Sequence, residues 1–148
     1  MSLQTDIVFV KALQENAELM AELPAGDVYN TSIPLPDIEL INAPVPYVIV
    51  SFDGLQNSSS TKDMDYDGDT DTVQIGIEIA ALTRPQLASI AEQVRASVRS
   101  YFENYDGDDD EILSLIPTDY TFTADAVGYD ADKPCFWQRL HYQCDTEP

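Results

Sequence analysis

Apolar residues in the first part of the chain recur at the spacing of one helical face. These positions are Leu3, Ile7, Val10, Leu13, Ala17, Met20 and Leu23. Because they are three or four residues apart, they predict a helix over residues 3–23. Ser2 is placed to cap this helix, and we expect a break near Asn16. The helix should end at residues 24–26, which read PAG.

Two later segments have the pattern of β-strands. "YVIVSFD" (47–53) is apolar enough to predict a central strand. "TVQIGIEIA" (72–80) alternates apolar and polar residues, which predicts a strand with one buried face. Residues 54–71, between them, are polar and acidic and are expected to form a long loop. A short extended piece is expected at Val28–Asn30.

The strongest helical pattern covers residues 83–102. Thr83 and Gln86 have the spacing of a capping box, and Pro85 falls in the first turn. An acidic loop at residues 104–111 should follow the helix. The apolar stripe consists of Leu87, Ile90, Ala91, Val94, Val98 and Phe102.

The C-terminal part of the chain has the pattern of a β-hairpin. "DYTFTADAV" (119–127) should pair with "CFWQRLHYQC" (135–144) across a turn at 128–134. The second strand should direct Phe136, Leu140, Tyr142 and Cys144 to one face, and Trp137, Arg139 and His141 to the other.

The element order is helix, strand, strand, helix, strand, strand. It predicts an α+β fold with an antiparallel or mixed sheet of about four strands and two main helices packed on one face. A length of 148 residues favours a single domain over residues 1–148, with acidic loops at 54–71 and 104–111.

The chain is strongly acidic. It has 27 Asp and Glu residues against 7 Lys and Arg, for a formal net charge of −20. Such a chain cannot neutralise a row of phosphates, so we expect no sequence-specific nucleic-acid binding. An anionic membrane surface would repel it, and no apolar run has membrane-spanning length. Its N-terminus lacks the pattern of a signal peptide. Basic partners fit this charge better.

The stretch "DMDYDGDTDT" (63–72) begins like a calcium-binding loop, D-x-D-x-D-G. Its candidate ligands are Asp63, Asp65, Asp67, Asp69 and Asp71. However, Thr70 and Gln74 occupy the positions that need an aliphatic residue and a bidentate Glu, and strands rather than helices flank the loop. We therefore expect a solvated acidic loop. A weak divalent-ion site remains the alternative.

No catalytic constellation is evident in the sequence. His141 is the single histidine, and Cys135 and Cys144 form no Cys-x-x-Cys pair. There is no glycine-rich phosphate loop. We therefore expect no enzymatic activity and no cofactor. Trp137 should be covered by a second helix or used in a subunit contact, and in the second case Trp137, Arg139 and His141 form the candidate interface.

The ordered segments resemble the tail-completion (tail terminator) proteins of long-tailed phages and prophages. The segments that carry the resemblance are "LQTDIVFVKALQENAELMAEL", "GDVYN", "PVPYVIV", "TVQIGIEIAAL", "RPQLASIAEQVRASVRSYF" and "FWQRLHYQC". They cover nearly the whole chain in order and spacing. The long acidic loops depart from the compact version typical of that family.

The resemblance implies a structural role. Such proteins form a homo-oligomeric ring, commonly a hexamer, that caps the tail tube and joins it to the head connector. The implied partners are other copies of the chain, the tail tube protein and the head connector protein. The implied location is the cytoplasm of the bacterial host during assembly, and then the neck and tail of the virion.

Other functions remain open from the sequence. One is a different head–tail connector or neck component of similar size. Another is a calcium-dependent binding module that uses the acidic loop at 63–71. A hydrolase with an unrecognised site ranks last.

Overall fold

The fold is built around a mixed β-sheet, seen in a computed structural model that describes residues 2–31, 45–58 and 70–146. Within these residues the chain has an α+β fold with six strands and four α-helices. The helices are α1 (Thr5–Gln14, after a 3₁₀ turn at Ser2–Gln4), α2 (Ala17–Glu22), α3 (Arg84–Asn104) and α4 (Asp110–Leu115). The strands are β1 (Tyr29–Asn30), β2 (Tyr47–Ser58), β3 (Thr70–Ala81), β4 (Asp119–Ala124), β5 (Gly128–Asp130) and β6 (Cys135–Thr146).

The strands lie in the order β1-β2-β3-β6-β4, and β5 also pairs with β6. β1 is parallel to β2, whereas the other pairings are antiparallel. The α+β class is therefore confirmed, but the predicted number of about four strands was too low. The short extended piece expected at Val28–Asn30 becomes β1, and β5 lies where the sequence pattern predicted only a turn, at 128–134.

The alternating pattern of β3 sets the register of the sheet. Val73, Ile75, Ile77 and Ile79 are all completely buried. Ile77 lies between Val50 of β2 and Leu140 of β6. One face of the three central strands is therefore continuously apolar, as the period of two predicts.

Both main helices pack on that apolar face. The ring of Phe9 in α1 lies 5.1 Å from the ring of Tyr142 in β6 and 5.1 Å from that of Phe102 in α3. The guanidinium of Arg95 in α3 lies over the ring of Phe122 in β4, 4.5 Å from its centroid. Aromatic contacts thus join α1, α3 and the far half of the sheet in one core.

The predicted cap of α3 by Thr83 is present, but the return bond of the capping box is shifted by one residue. The backbone N–H of Gln86 donates to Oγ1 of Thr83, at 3.2 Å. The Gln86 side chain accepts from the backbone N–H of Leu82, one residue before the cap, at 3.1 Å. The face of α3 toward the core buries Leu87, Ile90, Val94 and Val98, all members of the predicted stripe.

The N-terminal helix is interrupted where the sequence predicted a break. Asn16 caps α2, since its side chain accepts from the backbone N–H of Leu19 at 3.2 Å. The capping role of Ser2 was wrong, because Gln4 precedes α1 and makes no side-chain cap.

The predicted apolar face of α1 was also partly wrong. Leu3 and Ile7 are 71% and 40% exposed, whereas Val8 and Phe9 are completely buried. The run IVFV is apolar on more than one side of the helix, so the pattern could not select the buried side.

The loop predicted at 54–71 is shorter than expected. β2 continues to Ser58 and β3 begins at Thr70, and the two strands pair as far as Ser58 and Thr70. The register shifts between Phe52 and Gly54, where one extra residue forms a bulge. Backbone pairing continues through these polar residues because it does not require apolar side chains.

The acidic loop predicted at 104–111 contains the start of a helix. Asp109 caps α4, because its carboxylate accepts from the backbone N–H groups of Glu111 and Ile112. α4 buries Ile112 and Leu115, so the last residues of this segment are helical and only its first part connects the two helices.

Candidate functional site

The three residues predicted as a subunit interface share one face of β6. Trp137, Arg139 and His141 alternate with the core residues Leu140 and Tyr142 along the strand. They therefore lie on the side of the sheet away from α1 and α3, which we call the opposite face. No helix within the described residues packs on the opposite face, so the second covering helix that the sequence left open is not found among them.

Trp137 lies against the backbone of β5. Its register partner there is Gly128, and a Cβ atom at Gly128 would overlap the indole ring. On its other side Trp137 is paired with Ala80, which is completely buried. These small neighbours leave room for the large ring, which is still 40% exposed.

Arg139 forms an ion pair that crosses the sheet. Its Nη2 donates to both carboxylate oxygens of Asp53, at 2.7 and 2.8 Å, and to Oγ of Ser51, at 2.9 Å. Ser51 in turn donates to the Asp53 carboxylate at 2.9 Å. The contact joins β6 to β2 across β3, and it passes over Gly76, where a Cβ atom would overlap both charged groups. Glycine at this position is what lets the pair form.

His141 contacts the break between β4 and β5. Its Nε2 lies 2.9 Å from Oδ2 of Asp125. The backbone N–H of Asp125 donates to the carbonyl of Arg139, and its carbonyl accepts from the side chain of Gln138, both at 2.9 Å. The histidine is thus paired with the residue at which the edge strand is interrupted.

The sequence therefore predicted the shared face of Trp137, Arg139 and His141 correctly, but not their partners. Each side chain already has a contact within the chain, through Gly128, Asp53 or Asp125. These contacts hold the side chains in place and leave part of each exposed. Their use between subunits remains a prediction.

The candidate metal ligands are only partly described. Asp63, Asp65, Asp67 and Asp69 lie outside the described residues. Asp71 belongs to β3 and is 7% exposed, and its carboxylate accepts from the side chain of Asn57 at 2.7 Å. In residues 2–31, 45–58 and 70–146, no group of three or more His, Cys, Asp or Glu side chains is placed to hold a metal ion.

Both cysteines are free and buried. Burial raises the pKa of the Cys144 thiol to about 12, and it also raises that of Cys135. Because the thiolate is the reactive form, both side chains behave as small apolar residues rather than as nucleophiles.

A groove of about 670 Å³ lies away from the opposite face, where the C-terminal ends of α1 and α3 meet. We call it the terminal groove. Its tyrosines are Tyr101 and Tyr105, whose ring centroids are 5.4 Å apart. The pKa of Tyr101 is raised, first by burial and then by Tyr105, Glu15 and Asp109.

The sequence pattern did not reveal the terminal groove, because its two sides are far apart along the chain. A hydrogen bond from Nδ2 of Asn16 to Oγ of Ser97, at 2.9 Å, joins them. The Ser97 hydroxyl in turn donates to the carbonyl of Gln93 at 2.6 Å. These two hydrogen bonds fix the start of α2 against α3.

None of the helices in the described part of the chain is both long and apolar enough to cross a membrane. Comparison with protein-family models and with curated proteins gives no match to this chain.

Proposed function

We propose that the protein is a structural component of a long-tailed phage or prophage. In this proposal it is a tail terminator, whose ring caps the tail tube and joins it to the head connector. The order α1–α2, β1, β2, β3, α3 and β4–β6 follows the order of the segments that carry the resemblance.

The observation that carries an assembly role is Trp137 on the opposite face. An indole that is 40% exposed keeps a large apolar area available for a contact. Aromatic residues of this kind are enriched in protein interfaces and often dominate their energy. The ion pair of Arg139 with Asp53 and the contact of His141 with Asp125 beside it would form a polar rim with fixed geometry.

The proposal is tested by the mass and shape of the assembly. The purified protein is measured by light scattering and negative-stain electron microscopy, alone and with the tail tube protein of the same genome. We expect closed rings, either alone or at one end of each tube. A monomer under both conditions at every concentration would refute the proposal.

Two variants test the role of the opposite face. Trp137→Ser should abolish or strongly weaken ring formation. Tyr129→Ser is the matched control. Tyr129 is also an exposed aromatic residue, at 58%, and it lies on β5, the strand that pairs with β6 beside Trp137. If both variants assemble like the natural protein, the opposite face is not the contact.

The same purified protein can be used to distinguish a tail terminator from another neck component. A tail terminator should bind the end of the tail tube and stop its growth. A head–tail connector should bind the head portal complex and leave tube length unchanged. Tubes of unlimited length in the presence of the protein would favour the second.

A further inference from the structure

The terminal groove is electronegative for two independent reasons. Its lining contains the carboxylates of Glu15, Glu18 and Asp106 and no Lys, Arg or His among the described residues. It also lies at the C-terminal end of α3, a helix of 21 residues with no basic residue in its last turn. The free carbonyl groups at such an end carry partial negative charge and favour a cation.

The lining of the terminal groove suits a planar cation. Its lining includes small side chains, at Ala12, Ala96 and Ser100, which leave room between the helices. Tyr101 and Tyr105 also line the groove, and a Cβ atom at Gly107 would overlap the ring of Tyr105. Glycine therefore lets the chain after α3 fold back against this ring. A guanidinium stacks on such rings while it donates to carboxylates.

We propose that the terminal groove docks an arginine side chain on a segment of a basic partner protein. Arginine fits better than lysine, since its planar group can use the tyrosine faces and the carboxylates together. This inference does not rest on the proposed ring, because the groove is formed within one chain.

A second copy of the chain fits this groove less well than a basic protein does. Each copy has a net charge of −20 with only 7 Lys and Arg residues. Three of these cations already have contacts within the chain: Arg95 with Phe122, Lys133 with Tyr47, and Arg139 with Asp53. A distinct basic protein meets the charge of the groove without this mutual repulsion.

The test is a titration followed by nuclear magnetic resonance. The ¹⁵N-labelled protein is titrated with the peptide acetyl-Gly-Arg-Gly-Arg-Gly-amide. The control is the same peptide with citrulline, the neutral analogue, in place of arginine. We expect saturable shifts at the backbone amides of Ser97, Ser100, Tyr101 and Gly107 with the arginine peptide alone.

Matched variants separate the groove from general electrostatic attraction. Glu15→Gln with Glu18→Gln should weaken binding about fivefold or more. Glu92→Gln with Asp132→Asn removes the same charge from exposed positions outside the groove. This control should change the affinity for the arginine peptide less than about twofold. Equal melting temperatures establish that both variants are folded.

Four results would overturn the proposal. The first two are the absence of any amide shifts and shifts spread over the whole acidic surface. The other two are an equal loss of affinity in the two double variants and equal binding of the citrulline peptide. A lysine peptide that binds as tightly as the arginine peptide would overturn the arginine assignment.

Discussion

Arg139 of β6 reaches Asp53 of β2 by crossing the backbone of β3 at Gly76. The two strands are not neighbours, so the ion pair couples three strands through side chains on the opposite face. Both side chains are less than one-third exposed, at 30% and 27%.

Gly76→Ala should cost about 1 kcal/mol of unfolding free energy. The new methyl group meets only the flexible ends of Arg139 and Asp53, so the cost is the loss of their contact rather than a core overlap. In an Arg139→Ala background the same change should be neutral or stabilising, because alanine suits a strand better than glycine. Urea unfolding of the four proteins in this cycle measures the coupling. Strict additivity would show that the ion pair does not depend on the glycine.

Ile77→Asp should unfold the protein or lower its stability by roughly 4 kcal/mol or more. Ile77 is completely buried at the centre of the sheet, and a carboxylate there would have no partner. Glu78→Lys is the matched control on the next residue, which faces the other way. It should cost no more than about 1 kcal/mol, from repulsion by the cross-strand neighbour Arg139. Circular dichroism on heating compares the two, and equal tolerance of both would contradict the register.

Stability should fall as the pH rises above 9. The pKa of Cys144 is raised from 9.0 to about 12, so the unfolded chain releases this proton before the folded chain does. Since the folded state then holds more protons, unfolding becomes easier by up to about 1.4 kcal/mol per pH unit between 9 and 12. At about pH 7 and below, the thiol is protonated in both states and contributes no pH dependence.

Cys144→Ala isolates this effect. Urea unfolding at pH 7.5, 8.5 and 9.5 should show a smaller loss above pH 9 in the variant than in the natural protein. The variant itself will be less stable at every pH, because it leaves a small cavity at a completely buried position. The quantity to compare is the slope of the unfolding free energy with pH, not the absolute stability. An equal slope in both proteins would contradict the prediction.

Asn16 should contribute to stability through two separate hydrogen bonds. Asn16→Ala removes both the cap of α2 and the donor to Ser97, at a cost of about 1–2 kcal/mol. Asn16→Asp keeps an acceptor for the backbone N–H of Leu19 but loses the donor to Ser97, so its cost should be smaller. Chemical unfolding of both variants gives the two contributions, and equal costs would show that the cap adds nothing.

Local patterns predicted those parts of the fold that depend on neighbouring residues. The alternation from Val73 to Ile79 gave the buried face of β3, and the Thr83–Gln86 pair gave the start of α3. The faces of β6 followed from the same period of two. α4 had a usable signal, an aspartate cap at Asp109 followed by Ile112 and Leu115 three residues apart, but the surrounding acidic run concealed it.

Contacts between distant residues could not be predicted in this way. The residues that neighbour Gly76 in the sequence do not indicate that Arg139 and Asp53 meet over Gly76 in the sheet. Likewise, a hydrogen bond from Asn16 to Ser97 joins the two sides of the terminal groove, and no period along the chain connects these two residues. Only the sheet register and the packing of α1 on α3 bring such residues together.

The interruption beside β6 has a consequence for solubility. β6 is a strand of twelve residues, but along its outer side it meets two short strands, β4 and β5, with Asp125 at the gap between them. A continuous outer strand would offer a straight row of backbone groups to any other chain and so act as a template for aggregation. The broken edge, with aspartates at 119, 125 and 130, offers no such template.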